Sequence, residues 1–155
     1  MNDETWIGTA PWPMTKSNST PIVVPNTPIG KMDKTKWSLD GRFIAGGIVS
    51  AAGNYRGNAI FEVATGVIRV LSNDAVRPEL AFLPGNRSVV YFTYSGSLVM
   101  QDIATLQRRV IADKLPYPPD VMASIAASPD GSALFYGASQ SEANIWLARR
   151  DGTKR

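Results

Sequence analysis

Three segments of the chain share one pattern of apolar and polar residues and are spaced at equal intervals. Each begins with an aromatic or small apolar residue, continues through a polar turn, and ends in a short run rich in apolar and aromatic residues. The three copies are 37–45, 82–90 and 127–135, so that 45 residues separate each copy from the next. Such a segment predicts a strand, a tight turn and a second strand.

Two more strands are predicted after each of the first two copies. The segments 58–66 and 97–105 resemble each other and predict a third strand, and 143–148 resembles the start of both. The runs 67–71 and 108–112 then predict a fourth strand, because apolar and polar residues partly alternate there.

Four short strands in about 45 residues are typical of a β-propeller blade. We therefore predict an all-β protein made of β-propeller blades of four antiparallel strands. A β-sandwich with turns at similar spacing is the alternative. The equal intervals disfavour it, because the strands of a sandwich do not recur with the same turn at a fixed period.

The turns also carry a resemblance to a known family. The segment 128–131 has the sequence Ser-Pro-Asp-Gly, the segment 38–41 lacks only the proline, and 83–86 is a degenerate copy. This pattern resembles the TolB-type, WD-repeat-like propeller repeat, in which an apolar strand and an Asp-Ile-Tyr-like third strand follow the turn. The resemblance covers about residues 31–149 and implies a propeller. It implies no single activity, since propellers of this type serve as scaffolds, sensor domains and substrate gates.

The predicted strands are enough for about three blades. We expect an irregular N-terminal segment over 1–20, blades over 21–150 and a short tail over 151–155, with one strand at 21–24 ahead of the repeats. Propellers close with four to eight blades. Three blades are therefore a partial propeller or half of a six-bladed ring.

Two explanations of this number stay open. In the first, which is favoured, the chain is the C-terminal propeller fragment of a longer protein that supplies the missing N-terminal blades, and Trp6-Ile7 is a strand of a preceding blade. In the second, two chains form a homodimer, and the strand at 21–24 of each completes the last blade of the other.

Composition excludes many catalytic mechanisms. The chain has no Cys and no His, which excludes thiol nucleophiles, Ser-His-Asp triads, disulfides and the usual zinc sites. A nucleophile elbow, a phosphate-binding loop and a dinucleotide fingerprint are also missing. We therefore expect no enzyme activity, no catalytic residues, no metal and no cofactor. Asp40-Gly41 and Asp130-Gly131 are explained by turn geometry.

Charge and hydropathy limit the partners. Sixteen Lys and Arg against 13 Asp and Glu give a net charge of +3, and the basic pairs are scattered without interleaved aromatics, so we expect no nucleic acid. No apolar stretch approaches the roughly 20 residues that span a bilayer, so we expect no membrane insertion. Residues 1–10 carry no visible export signal. The compartment stays open: cytoplasmic for the chain as given, periplasmic for a fragment of an exported TolB-like protein.

Two connections outside the repeat pattern supply candidate binding residues. The segment 50–57 lengthens the connection between the second and third strands of its blade, and it carries Asn54, Tyr55 and Arg56. Tyrosine and arginine are enriched at binding hot spots. The proline-rich connection after residue 112 presents Tyr117. The alternative to binding is a solvated insertion without a partner for the segment 50–57, and a simple bridge from one blade to the next for the proline-rich connection.

These observations favour a non-catalytic scaffold that binds a protein or peptide partner. The alternative, implied by the resemblance, is the propeller portion of a larger bacterial enzyme or sensor. Such a propeller is linked to a kinase or a regulator domain, or gates a hydrolase of the prolyl oligopeptidase type.

Overall fold

The computed structural model describes residues 5–9, 20–73, 76–113, 115 and 124–137. Within these ranges every regular element is a β-strand and every pairing between strands is antiparallel. The strands are β1 (Thr5–Thr9), β2 (Thr20–Val24), β3 (Lys31–Trp37), β4 (Phe43–Val49), β5 (Tyr55–Glu62), β6 (Val67–Ser72), β7 (Val76–Phe82), β8 (Ser88–Thr93), β9 (Leu98–Asp102), β10 (Arg108–Ala112), β11 (Ile125–Ala127) and β12 (Leu134–Tyr136).

Two complete four-stranded sheets form the centre of the described structure. Blade 1 has the order β3-β4-β5-β6 and blade 2 the order β7-β8-β9-β10, so each strand pairs with the next along the chain. This confirms the predicted all-β class and the four-stranded antiparallel sheets. β11 and β12 form a C-terminal pair, in the places of a first and second strand. The third strand predicted at 143–148 lies outside the described residues.

The N-terminal segment differs from the expectation. Residues 1–20 were expected to be irregular, but the strand that one of the two explanations takes at Trp6-Ile7 is present: β1 pairs with β2 from Thr5 opposite Val24 to Thr9 opposite Thr20. The physical reason is that Ile7 packs against the apolar face of blade 1. Because β2 leads directly into β3, as β6 leads into β7, the N-terminal pair β1–β2 occupies the places of the third and fourth strands of a preceding blade.

Apolar side chains fill the space between successive sheets. On β4, Phe43 and Ala45 face blade 2, whereas Ile44 and Ile48 face the N-terminal pair, as the alternation of side chains along a strand requires. Both faces of β4 are therefore covered. The core between the two blades consists of Phe43, Ala45, Ile60, Leu71, Leu80, Val89, Tyr91, Val99 and Ile103. Each large side chain buried in this way contributes about 1.5–3 kcal/mol relative to exposure.

One buried amide joins the two blades. Gln101 on β9 is 1% exposed, and its Nε2 donates to the carbonyl of Leu71 on β6 at 2.6 Å. The same Nε2 donates to the carbonyl of Leu106 at 3.2 Å, and Oε1 accepts from the hydroxyl of Tyr91 at 2.9 Å. A polar side chain at this depth is tolerated because its hydrogen bonds are made.

The Asp-Gly turns have the expected structural role. Ser128 Oγ donates to Asp130 Oδ1 at 2.6 Å and accepts from the backbone N–H of Ala133 at 2.9 Å. Gly131 takes a positive φ of 73°. The turn at 38–41 repeats these bonds, with Ser38 Oγ donating to its aspartate at 2.7 Å. The carboxylates therefore close hairpins.

The three turns lie in one row. The backbone N–H of Leu39 donates to Asn86 Oδ1 of the next turn at 3.2 Å. A Cβ atom on Gly131 would lie 3.3 Å from Pro84 of the same middle turn. We call this end of the blades the turn face. The β2–β3, β4–β5 and β8–β9 connections lie at the opposite end of the strands, which we call the loop face.

Replacement of Gln101 by Leu tests the polar link between the blades. The substitution keeps the volume but leaves the Leu71 carbonyl without its partner, so the free energy of unfolding should fall by about 1–3 kcal/mol. Urea denaturation measures it. The matched control is Gln107→Leu in an exposed turn, which should change stability by less than about 0.5 kcal/mol. Equal effects of the two substitutions would contradict the link.

Acid titration tests the turn carboxylates. Hydrogen bonds from Ser38, from Thr105 and from Ser128 are the largest causes that lower the pKa values of Asp40, Asp102 and Asp130, respectively, from 3.8 to about 2. The folded state thus binds protons less readily than the unfolded state. Stability that is present above about pH 4 should be lost as the pH falls towards 2.

Successive Asp→Asn replacement at Asp40, Asp102 and Asp130 should make this loss shallower with each step, measured by chemical denaturation at each pH. If the triple variant loses stability in parallel with the unsubstituted chain, other groups control the acid transition.

Candidate functional site

A groove lies on the loop face of blade 1, next to the predicted binding residues. It has a volume of about 450 Å³ and lies between the β2–β3 and β4–β5 connections, within the size range of small-ligand sites. Ser50 lies on its wall, and the hydroxyl oxygen of this residue is buried without a hydrogen-bond partner among the described residues. The lining residues are Asn26, Thr27, Gly30, Lys31, Val49, Ser50, Ala51 and Gly53.

Two tight turns form the walls of the groove. Thr27 donates to the carbonyl of Gly30 through its N–H at 2.8 Å and its hydroxyl at 2.7 Å. Gly30 has a φ of 147°, and a Cβ atom there would collide with the carbonyl of Val49. On the other wall, the N–H of Gly53 donates to the carbonyl of Ser50 at 2.9 Å. Both walls are therefore preformed by the backbone.

Tyr55 is held in place beside the groove. Its hydroxyl donates to Asp33 Oδ2 at 2.6 Å. Asp33 lies on β3 opposite Gly47, and Tyr55 lies on β5 opposite Val49. Because β4 lies between these two strands, the tyrosine side chain reaches across it. Gly47 has no side chain to block this path, which gives a reason for a glycine inside an apolar strand.

The charge state of the pair is fixed by its surroundings. The hydrogen bond from Tyr55 is the largest cause that lowers the pKa of Asp33, and Lys34 and Lys31 act in the same direction. Burial, followed by the hydrogen bond to Asp33, raises the pKa of Tyr55. Near neutral pH the aspartate is therefore ionised and the tyrosine keeps its proton. This arrangement orients Tyr55 as a donor and does not activate it as a base.

A second polar contact ties the first strands of the sheets together. Lys36 Nζ on β3 lies 3.0 Å from Glu79 Oε2 on β7 and donates to the carbonyl of Ile125 on β11 at 2.9 Å. Asn58 on β5 is fully buried, and its side-chain amide has no hydrogen-bond partner within the described part of the chain. Blades 1 and 2 therefore carry buried and half-buried polar groups as well as the apolar core.

The predicted binding residues have different placements. Asn54 ends the β4–β5 connection and is exposed, while Tyr55 and the exposed Arg56 are the first residues of β5. The connection predicted over 50–57 thus ends three residues earlier, because the register shift between Ile48 and Val49 lets the strand begin at Tyr55. Tyr117 lies outside the described residues. Asn54, Tyr55 and Arg56 lie together at the loop face.

Sequence reasoning did not single out Asp33 or the residues of the groove. The Gly46-Gly47 pair in the middle of an apolar strand could have pointed to Asp33. Glycine inside a strand marks a position where another part of the chain comes close to the backbone. A Cβ atom on Gly46 would lie 2.6 Å from the carbonyl oxygen of Asp33. Thr27 and Gly30 lie outside the repeats, and no feature of the sequence pointed to them as groove residues.

The described residues add two further findings. They contain no helix long and apolar enough to cross a bilayer. They also contain no group of three or more acidic side chains placed to hold a metal ion.

Comparison with known proteins supports a class of fold. No family model and no curated protein matches the chain. Among solved structures the fold is similar to a β-propeller protein, over 88% of this chain with a TM-score of 0.59. The all-β partial propeller is thereby confirmed.

That protein is TolB from Acinetobacter baumannii, which is 17% identical to this chain in sequence. The chain spans about a third of the TolB chain, 34% of its length. At this identity the similarity establishes a TolB-like propeller fold.

Replacement of Tyr55 by Phe tests the Tyr55–Asp33 pair. Loss of the hydroxyl should raise the pKa of the Asp33 carboxyl towards its ordinary value, which NMR titration measures, and should lower the free energy of unfolding by about 1 kcal/mol. Tyr94→Phe, at a tyrosine that is 44% exposed, is the control and should leave the titration of Asp33 in place. An unchanged Asp33 titration in Tyr55→Phe would show that the hydrogen bond is not formed in solution.

Proposed function

We propose that this chain is a non-catalytic TolB-like propeller module that binds a protein or peptide on the loop face of blade 1. The observation that carries the proposal is the fixed Tyr55. Its hydrogen bond to Asp33 at 2.6 Å orients the ring beside the exposed Asn54 and Arg56. A tyrosine that is already oriented loses little conformational freedom on binding, and tyrosine and arginine are both enriched at binding hot spots.

The charge of this surface favours an acidic peptide. Lys31 and Lys34 are exposed beside the half-buried Asp33, and Arg56 is exposed near the start of β5. The groove of about 450 Å³ next to them offers hydroxyl and amide groups that can bind a peptide backbone. We propose that an acidic segment of the partner lies over Tyr55 and extends into the groove. Tyr117 is proposed as a further aromatic contact.

Three observations support a role without catalysis. The carboxylates of the turns are occupied by hydrogen bonds to their own hairpins. Burial, followed by the hydrogen bond to Asp33, raises the pKa of Tyr55, which makes its hydroxyl a weaker acid than an ordinary tyrosine. The sequence has neither His nor Cys to act as base or nucleophile.

A second candidate follows from the partial coverage of TolB. Because the chain spans 34% of that protein, the same surface would also suit a propeller portion of a larger bacterial enzyme or sensor. The loop face would then bind a neighbouring domain of the same protein.

Selection from a random-peptide phage library tests the proposal. Immobilised chain should enrich acidic peptides, and the double variant Tyr55→Ala, Arg56→Ala should bind the enriched peptides about tenfold or more weakly. Isothermal titration with the synthetic peptide measures the affinity.

The matched control is Leu39→Ala, Arg42→Ala on the turn face, where both side chains are exposed. It should bind the enriched peptide as the unsubstituted chain does. Equal loss in both double variants, or enrichment of peptides with no acidic residues, would overturn the proposed surface.

A further inference from the structure

The first strand of blade 1 contains one residue more than its pairing with β4 uses. Asp33 lies opposite Gly47 and Lys36 lies opposite Ala45. Two residues therefore separate the first members of these pairs on β3, whereas one residue separates their partners on β4. This is a β-bulge, in which the extra residue is left out of the ladder of hydrogen bonds.

The alternation of side chains identifies Lys34 as the extra residue. Met32 and Thr35 lie on the face of β3 towards the N-terminal pair. Asp33 and Lys36 lie on the face towards blade 2. If Lys34 were omitted, the side chains of β3 would alternate between the two faces without interruption, as in a regular strand. Lys34 is therefore an insertion that neither the ladder nor the packing of the sheet requires.

The backbone of Lys34 is strained. Its φ is 52°, in the left-handed region that glycine adopts freely and that other residues adopt at a cost. Bulges with a left-handed residue usually have glycine at that place. Among the described residues, the other non-glycine residues with a positive φ are Asn86 and Leu106, and both lie in connections between strands. Lys34 is the one that lies inside a strand.

The bulge determines where the charge of this lysine lies. In a strand without a bulge, Lys34 would follow Asp33 onto the face of Met32, where apolar side chains such as Ile48 are packed. The left-handed conformation turns it out of that core instead, and its side chain is exposed. A bulge of this kind re-aims a side chain. The strained backbone is thus what brings the ammonium group to the surface.

The side chain of Lys34 forms no ion pair within the described ranges. Its equivalent 45 residues later is Glu79, which is half-buried and paired with Lys36. The pKa of Asp33 is lowered chiefly by the hydrogen bond from Tyr55, and the backbone N–H and the charge of Lys34 act in the same direction. The bulge therefore places a positive charge beside the Tyr55–Asp33 pair, where it remains available to a partner.

We propose that Lys34 is a specificity-determining residue of the surface around Tyr55, where its ammonium group binds a carboxylate of the acidic segment. The inference rests on the proposed function, because it names the contact that selects an acidic partner. Strained residues that the surrounding structure supports are typical of binding sites. An exposed charge at the edge of an interface contributes mainly to the choice of partner and to the rate of association.

Replacement of Lys34 by Asn tests the contact, because asparagine tolerates the left-handed conformation and carries no charge. Lys34→Asn should bind the enriched acidic peptide about fivefold or more weakly, whereas Lys34→Arg should bind within about twofold of the unsubstituted chain. The affinity of Lys34→Asn should also fall less steeply with added salt. Isothermal titration measures both effects. Equal affinity of Lys34→Asn and the unsubstituted chain would overturn the proposal.

Glycine variants separate the charge from the strain. Lys34→Gly should unfold at a urea concentration no lower than the unsubstituted chain does, because glycine adopts a positive φ without strain, and it should bind the peptide as weakly as Lys34→Asn. The matched control is Leu106→Gly, at a residue with a φ of 60° in the connection that follows β9. It should bind the peptide as the unsubstituted chain does. Equal losses of affinity in the two glycine variants would contradict a specific contact.

Variants of the peptide test whether Lys34 touches the partner directly. Each acidic residue of the peptide is replaced in turn by its amide. One replacement should weaken binding to the unsubstituted chain but leave binding to Lys34→Asn unchanged, because the two groups of a direct contact are not additive. If every replacement has the same effect on both chains, Lys34 does not bind a carboxylate and the proposal fails.

Failure of this inference and failure of the proposed function give different results. Acidic peptides that depend on Tyr55 and Arg56 but not on Lys34 would leave the proposed surface in place and overturn only the role of Lys34. If the chain enriches no acidic peptide, the proposed function fails, and the inference about Lys34 fails with it.

Discussion

The structure depends on one constraint: each of the two complete sheets is covered by apolar side chains on both of its faces. β4 shows this coverage most clearly, because the side chains at its odd-numbered and even-numbered positions pack into two different cores. A sheet with one open face would expose residues such as Ile44 or Val90, which are fully buried. Burial at about 25 cal/mol per Å² of apolar surface makes that exposure costly, so the blades stabilise one another in sequence.

Two polar side chains cross the interface between the blades with their hydrogen bonds made. Gln101 binds the carbonyl of Leu71 in the neighbouring blade, and Lys36 joins Glu79 and the carbonyl of Ile125. Such bonds fix the relative placement of the sheets, because a sliding movement would leave buried groups unpaired. The apolar part of the interface therefore supplies stability, and its polar part fixes the position of one sheet relative to the next. Asp33, in the first half of β3, and Tyr55, at the start of β5, lie towards the loop face.

The 45-residue period was sufficient to predict the four-stranded sheets, the Asp-Gly turns and the order of the strands, because these depend on local sequence. A strand at Trp6-Ile7 was predicted only by the explanation that takes the chain as part of a longer propeller, because a strand at this position packs through Ile7 against a blade that is distant in sequence. Asn54, Tyr55 and Arg56 were found as candidates. The partner of Tyr55 was not, because the contact with Asp33 depends on the register of two pairings across β4.

The central claim is that strands covered on both faces hold the fold together. Residue-resolved amide hydrogen exchange tests it most directly, because exchange of such amides requires the sheets to separate. The account predicts that β4 and β8 exchange slowest and at similar rates, and that β10, with Arg108 to Ile111 exposed, exchanges much faster. Equal protection of β8 and β10, or strong protection in only one of the two blades, would contradict it.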